Sequence, residues 1–154
     1  MLYLIRHAHA GSKRAWAGPD ELRPLSAQGL LQAEAVVALL SGRPVSRILS
    51  SPTARCRATV APLAADRSLA VRDESDLAVG APVERVERLL RDAASADAAL
   101  CTHGETIAEL FERLDGAIDL GQHPRWQKGS VWLLDGLGGR SPWATYLPPL
   151  PPED

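Results

Sequence analysis

The chain has little cysteine, few aromatic residues, no long apolar run and no excess of one charge, and each scarcity narrows what it can be. Its two cysteines, Cys56 and Cys101, stand at no metal-type spacing and are too few for a disulfide framework. A reducing compartment is the simpler expectation, with both thiols buried as small hydrophobes. Aromatics make up 5% of residues, and Trp16, Trp126, Trp132 and Trp143 share no stacking register, so they read as core or loop anchors rather than base platforms. A formal net charge of -2 offers no field for gripping a nucleic acid polymer. No stretch approaches a membrane span, and the apolar start is four residues long with no basic region before it, unlike a secretory leader. The expectation is a cytoplasmic protein that engages neither nucleic acid polymer nor membrane.

What is present fits one ordinary globular domain: 45% apolar residues and 23% charged in 154 residues, enough to bury a core without staples. No internal repeat is visible. The domain is expected over residues 1–147, with the Pro-rich, acidic residues 148–154 as an extended or disordered tail.

Leu2-Tyr3-Leu4-Ile5 reads as a strand buried on both faces of a parallel sheet, and it delivers Arg6-His7-Ala8-His9-Ala10-Gly11 into a loop. Residues 12–25 form a long surface loop beside that point. Ser26 then caps a helix to about Leu40, with Leu30, Ala33, Val36, Val37 and Leu40 on one face. A second buried strand near residues 47–50 runs into Ser51-Pro52-Thr53-Ala54-Arg55-Cys56-Arg57-Ala58-Thr59. Pro52 would open a helix to about Ala65 that Pro62 kinks or ends. Residues 69–72 suggest a short strand, followed by the acidic loop Asp73-Glu74-Ser75-Asp76. Val83, Val86, Leu89, Leu90 and Ala93 predict an amphipathic helix braced by Glu84 with Arg88 and Glu87 with Arg91. Residues 98–102 read as another inner strand, and His103 stands at the turn into a helix carrying Ile107, Leu110, Phe111 and Leu114. Residues 131–134 and 144–147 are expected as strands joined through a glycine-rich turn. The architecture implied is α/β: a mostly parallel central sheet with helices on both faces.

Three strand ends thus deliver Arg6 with His7, Arg55, and His103 to one sheet edge, where open α/β sheets place their ligands. Two planar cationic forks and two imidazoles suit a phosphoryl group, whose oxygens accept bidentate guanidinium bonds. His9, Lys13, Arg23, Glu105 and Lys128 are candidates for a rim that meets the rest of a substrate, and His123 reads as a loop residue.

Arg6-His7-Ala8, the Ser51 to Thr59 segment and Thr102-His103-Gly104-Glu105-Thr106, in that order, resemble the histidine phosphatase, or phosphoglycerate-mutase-like, superfamily. That resemblance implies a three-layer sandwich, His7 as nucleophile, Arg6, Arg55 and His103 as phosphate ligands, and no cofactor or metal. It also implies an acidic proton donor, for which Asp76 matches by register and Glu74 by residue type, with Glu105 less simply placed. Ala8 departs from the glycine usual in the wider family, as short members do. The chain looks most like the short single-domain branch that includes phosphohistidine phosphatases. It also resembles the phosphatase-like domain fused to some Nudix hydrolases, through Ala10-Gly11-Ser12-Lys13 and Lys128-Gly129-Ser130. The activity implied is hydrolysis of a phosphomonoester or protein phosphohistidine through a phosphohistidine intermediate. Action on nucleotides or related phosphometabolites is the alternative, and a non-catalytic phospho-ligand-binding module the alternative of another class.

Overall fold

The computed structural model describes residues 1–151; the part of the expected tail at 152–154 lies outside the described residues. Six strands form one sheet in the order β3-β2-β4-β1-β5-β6: β1 (Leu2–Arg6), β2 (Arg47–Ser50), β3 (Val71–Asp73), β4 (Ala98–Thr102), β5 (Val131–Asp135) and β6 (Trp143–Leu147). The first four in that order run parallel, and β5 and β6 are antiparallel to their neighbours. Parallel strands need crossovers, and the helices α1 (Ala27–Leu39), α2 (Ala54–Arg67), α3 (Val83–Ala93) and α4 (Gly104–Arg113) accompany them.

Side chains alternate across a strand, so β1 splits its apolar run between two cores. Leu2 and Leu4 join Leu100, Trp132, Val86 and Leu90 of α3, and Ile107, Leu110 and Phe111 of α4. Tyr3 and Ile5 join Ala99, Cys101, Val36 of α1, and Val60 and Leu63 of α2. The sheet is therefore sandwiched by helix pairs. Trp132 is a core residue, edge-on to Phe111 at 4.9 Å with its Nε1-H donating to Arg125 O at 2.6 Å. No described helix is long and apolar enough to cross a membrane.

Several local expectations change. Leu30 is not on the buried face of α1: it is 56% exposed, and Gly29, Gln32, Ala33 and Val36 face inward. The rotation is set by backbone approach, because a Cβ on Gly29 would lie 1.9 Å from His9 O. Pro52 precedes Thr53, the N-cap of α2, and Pro62 interrupts nothing: the helix continues to Arg67 and ends at a left-handed Ser68 (φ 54°). Glu84 pairs with Arg113 of α4 rather than with Arg88, and Arg113 also meets Glu87, so these charges tie α3 to α4. Within residues 148–151, Pro149 is buried and Gln32 Nε2 lies 3.5 Å from Pro151 O.

Candidate active site

The loop after β1 is held by side chains from two helices. His7 N-H donates to Thr102 O at 3.0 Å, extending the β1–β4 ladder by one residue. Ala8 N-H then donates to Thr59 Oγ1 at 2.9 Å, and His9 N-H to Gln32 Oε1 at 2.8 Å. Ser26 caps α1 by accepting from Gly29 N-H at 3.1 Å, and its Oγ also lies 2.6 Å from His9 Nδ1. A segment that would otherwise be mobile is thereby fixed by backbone bonds to buried partners.

His7 is 7% exposed, and its Nδ1 lies 2.8 Å from Ala8 O. A carbonyl only accepts, so Nδ1 carries the proton and Nε2 keeps its lone pair. Burial is the main reason the ring's pKa is pushed down to about 3; the bond to Ala8 opposes this, and the charges of His103, Arg55 and Arg6 reinforce it. The ring is a neutral base at ordinary pH.

His103, 1% exposed, is the N-cap residue of α4. Its ring centroid is 5.4 Å from that of His7, in an edge arrangement. Its Nε2 lies 2.8 Å from Ser51 Oγ and 3.7 Å from Cys56 Sγ, so the turn after β2 orients the imidazole that follows β4. Arg6 lays its guanidinium across the start of α4: a Cβ on Gly104 would meet Arg6 Cζ at 2.9 Å. Arg6 Nη1 also donates to Trp126 O at 2.6 Å. Arg55, in the first turn of α2, is 4% exposed. The four residues read from three strand ends thus meet at the carboxyl edge of β1, β2 and β4: the two imidazoles lie edge to face, and the charges of Arg6 and Arg55 act on His7.

The acidic candidates occupy the next turn. Glu74 follows β3 and accepts from Asp76 N-H at 3.1 Å, capping a 3-10 turn over Ser75–Leu77. The Asp76 carboxylate lies 3.9 Å from Arg85 Nη1 of α3. The turn is tied to the sheet through Thr102 Oγ1, which donates to Leu77 O at 2.8 Å. It leads into Ala78 and Val79, which with Pro52, Thr53, Arg55, Asp20 and Glu21 bound a cleft of about 350 Å³. Glu105 is exposed in the first turn of α4.

On the rim, His9 is half-buried, Lys13 is exposed, and Lys128 is half-buried beside Gly129. Gly129 has φ +79°, and its N-H reaches Arg6 O at 3.1 Å and His7 O at 3.2 Å. Arg23 is committed inward: Nη1 donates to Ala10 O at 2.7 Å and Nε to Asp20 Oδ1 at 3.0 Å. Arg57 is exposed and pairs with Asp73, and His123 is exposed.

Sequence reasoning missed Asp20. It sits in a 3-10 turn over Asp20–Leu22 within the 12–25 loop, and both its backbone and its carboxylate accept from Arg55. Ser51, Gln32 and Thr59 were also missed as supports. Among the described residues no group of three or more His, Cys, Asp or Glu is placed to hold a metal ion.

Comparison with known proteins accords with this geometry. The profile of the histidine phosphatase superfamily (branch 1) matches residues 2–78. An 8-oxo-(d)GTP phosphatase of Mycolicibacterium smegmatis is 30% identical over 152 residues, covering 95% of this chain but 47% of that protein. The chain therefore spans about half the length of that relative. Among solved structures, the protein histidine phosphatase SixA complexed with tungstate superposes with a TM-score of 0.72 at 19% identity, covering 96% of this chain and 94% of that one. A Nakamurella multipartitia protein, provisionally described as a phosphohistidine phosphatase SixA, gives 0.64 at 28% identity, covering 86% and 82%.

Proposed function

The chain belongs to the histidine phosphatase superfamily, and from that premise we propose that it is a metal-independent phosphatase that works through a phosphohistidine on His7. The observation that carries the reading is the state of His7. It is a buried, neutral imidazole whose Nδ1-H is held by Ala8 O, leaving a lone pair on Nε2 beside a second histidine and within reach of two guanidinia.

In this mechanism Nε2 attacks phosphorus in line, the bond from phosphorus to the leaving oxygen or nitrogen breaks, and a carboxylic acid supplies the leaving atom's proton. Arg6, Arg55 and His103 neutralise the equatorial oxygens, which is most of the work in phosphoryl transfer. The imidazole becomes cationic on attack, and the Ala8 carbonyl on Nδ1-H stabilises that charge. Water then attacks phosphorus, the N–P bond breaks, inorganic phosphate leaves, and the acid regains its proton. Asp76 and Glu74 are the candidate acids, on the turn that leads into Ala78 and Val79 of the cleft wall beside Arg55.

The substrate class is a phosphomonoester or protein phosphohistidine, a choice supported by the SixA-like neighbours. A second reading, a phosphatase of nucleotides, is favoured by the 30% identity to the mycobacterial 8-oxo-(d)GTP phosphatase. Hydrolysis of an aryl phosphate tests the shared chemistry: the wild-type protein turns it over, and His7→Ala abolishes turnover and the acid-labile phosphoenzyme while the protein stays folded. Full activity in that variant would refute the reading. A panel of phosphohistidine protein, nucleotides and sugar phosphates separates the two substrate classes by kcat/KM.

A further inference from the structure

Arg55 is not idle in this structure. Its Nη1 donates to Asp20 O at 2.8 Å and its Nη2 to Asp20 Oδ2 at 3.1 Å, while its Nε is buried with no hydrogen-bond partner. The second carboxylate oxygen, Oδ1, accepts from Arg23 Nε at 3.0 Å, and Arg23 in turn holds Ala10 O of the nucleophile loop. We propose that Asp20 is a resident anion of the phosphate site, a carboxylate that occupies Arg55 in the free enzyme and yields it to the substrate's phosphoryl group. The proposal rests on the reading of Arg55 as a phosphate ligand.

The direction of exchange follows from counting donors and charge. Asp20 engages Arg55 through one charged oxygen and one neutral carbonyl, and leaves Nε unsatisfied at a site that is 4% exposed. A buried donor without a partner is costly, and hydrogen bonds to charged acceptors are the stronger ones. A phosphoryl dianion carries two charges and three terminal oxygens, enough to satisfy Nε and the terminal nitrogens together. Asp20 is also the more easily displaced partner, because its side chain is one-third exposed and sits on a short surface turn. It therefore lowers the site's affinity for phosphate, both by holding the guanidinium and by placing a like charge beside the incoming anion. Asp20 is thus a determinant of anion affinity, and it couples phosphate binding to the position of the 20–22 turn, which walls the cleft beside Arg55.

The alternative role, a support that aligns Arg55, predicts the opposite outcome. Removing the charge while keeping the backbone acceptor separates the two. Asp20→Asn and Asp20→Ala retain the carbonyl that receives Nη1, so alignment survives and competition is lost. Inorganic phosphate is the probe, measured as product inhibition of aryl phosphate hydrolysis and directly by titration calorimetry. The expected result is an inhibition constant about tenfold lower in both variants, the scale of one lost charge-assisted competitor, with KM for the aryl phosphate falling in parallel and kcat not rising. Glu34→Gln, on the exposed face of α1, removes an equal charge outside the cleft and is expected to stay within about twofold of wild type. Weaker phosphate binding in the Asp20 variants would assign Asp20 to alignment and overturn the proposal, and so would unchanged binding. Phosphate binding by neither variant nor wild type would overturn the proposal together with the phosphatase reading itself, whereas an active wild type with indifferent Asp20 variants would overturn the proposal alone.

Discussion

A buried histidine held neutral makes the folded protein sensitive to acid in a way that can be isolated. His7 has a pKa of about 3 in the fold against 6.5 for an unperturbed ring. Between those values the unfolded chain binds a proton that the native ring refuses, so stability rises with pH there and is lost as pH falls below about 6.5. At pH 5 the native ring is still neutral, and the loss is set by the unfolded ring's titration: about 2 kcal/mol, or about 4–8 °C in Tm for a chain of this length. His7→Asn removes the titration, and its amide can still donate to Ala8 O. The measurement is Tm against pH for both proteins, and the quantity that matters is their difference, since every other titrating group is common to the two. Wild type is expected to lose about 2 kcal/mol more than the variant between pH 8 and pH 5. Superposable profiles would mean that the native ring protonates freely, and would remove the neutral-nucleophile argument.

Two further substitutions test how the site is assembled. Gly104→Ala places a methyl 2.9 Å from the Arg6 guanidinium; Arg6 must move, and kcat/KM for an aryl phosphate is expected to fall about 100-fold while the Tm stays close to wild type, a result that unchanged kinetics would contradict. Of the acids, Asp76→Asn is expected to lose more in kcat than Glu74→Gln, within the range of about 10²- to 10⁴-fold for a proton donor, because Glu74 already accepts from Asp76 N-H as the cap of its turn. Small, equal losses in both variants would move the role to Glu105 or to solvent.

The architecture was legible because its signals are periodic and local. A four-residue apolar run with no polar alternation is what a strand covered on both faces requires, and β1 divides its side chains between two cores. Where periodicity misled, a backbone contact between distant segments had won. The apolar pattern of α1 admitted Leu30 on the inner face, but the helix docks through Gly29 on His9 O, and that contact turns Leu30 and Leu31 outward. Pro62 is a similar case. Proline's penalty in a helix interior is a local quantity, and α2 overrides it because Val60, Leu63 and Ala64 around the proline are buried against the sheet.

The site divides in the same way. Arg6, His7, Arg55 and His103 were readable because each stands where a strand gives way to a loop or helix, and such ends in a parallel sheet are brought together by topology alone. Asp20 was not, for it lies in a loop with no period, in a run of charges whose ordinary fate is solvent. Nothing in the order Gly18-Pro19-Asp20-Glu21-Leu22 distinguishes Asp20 from Glu21; the distinction arises from Arg55 and Arg23, which are 35 and 3 residues away and meet on opposite oxygens of one carboxylate. The direction of the effect is nonetheless fixed by chemistry. Among the guanidinia gathered at this edge Arg55 is deeply buried, and the acidic residue of the adjoining loop that reaches it is Asp20. Its removal should therefore be felt first as tighter binding of phosphate rather than as a weaker fold.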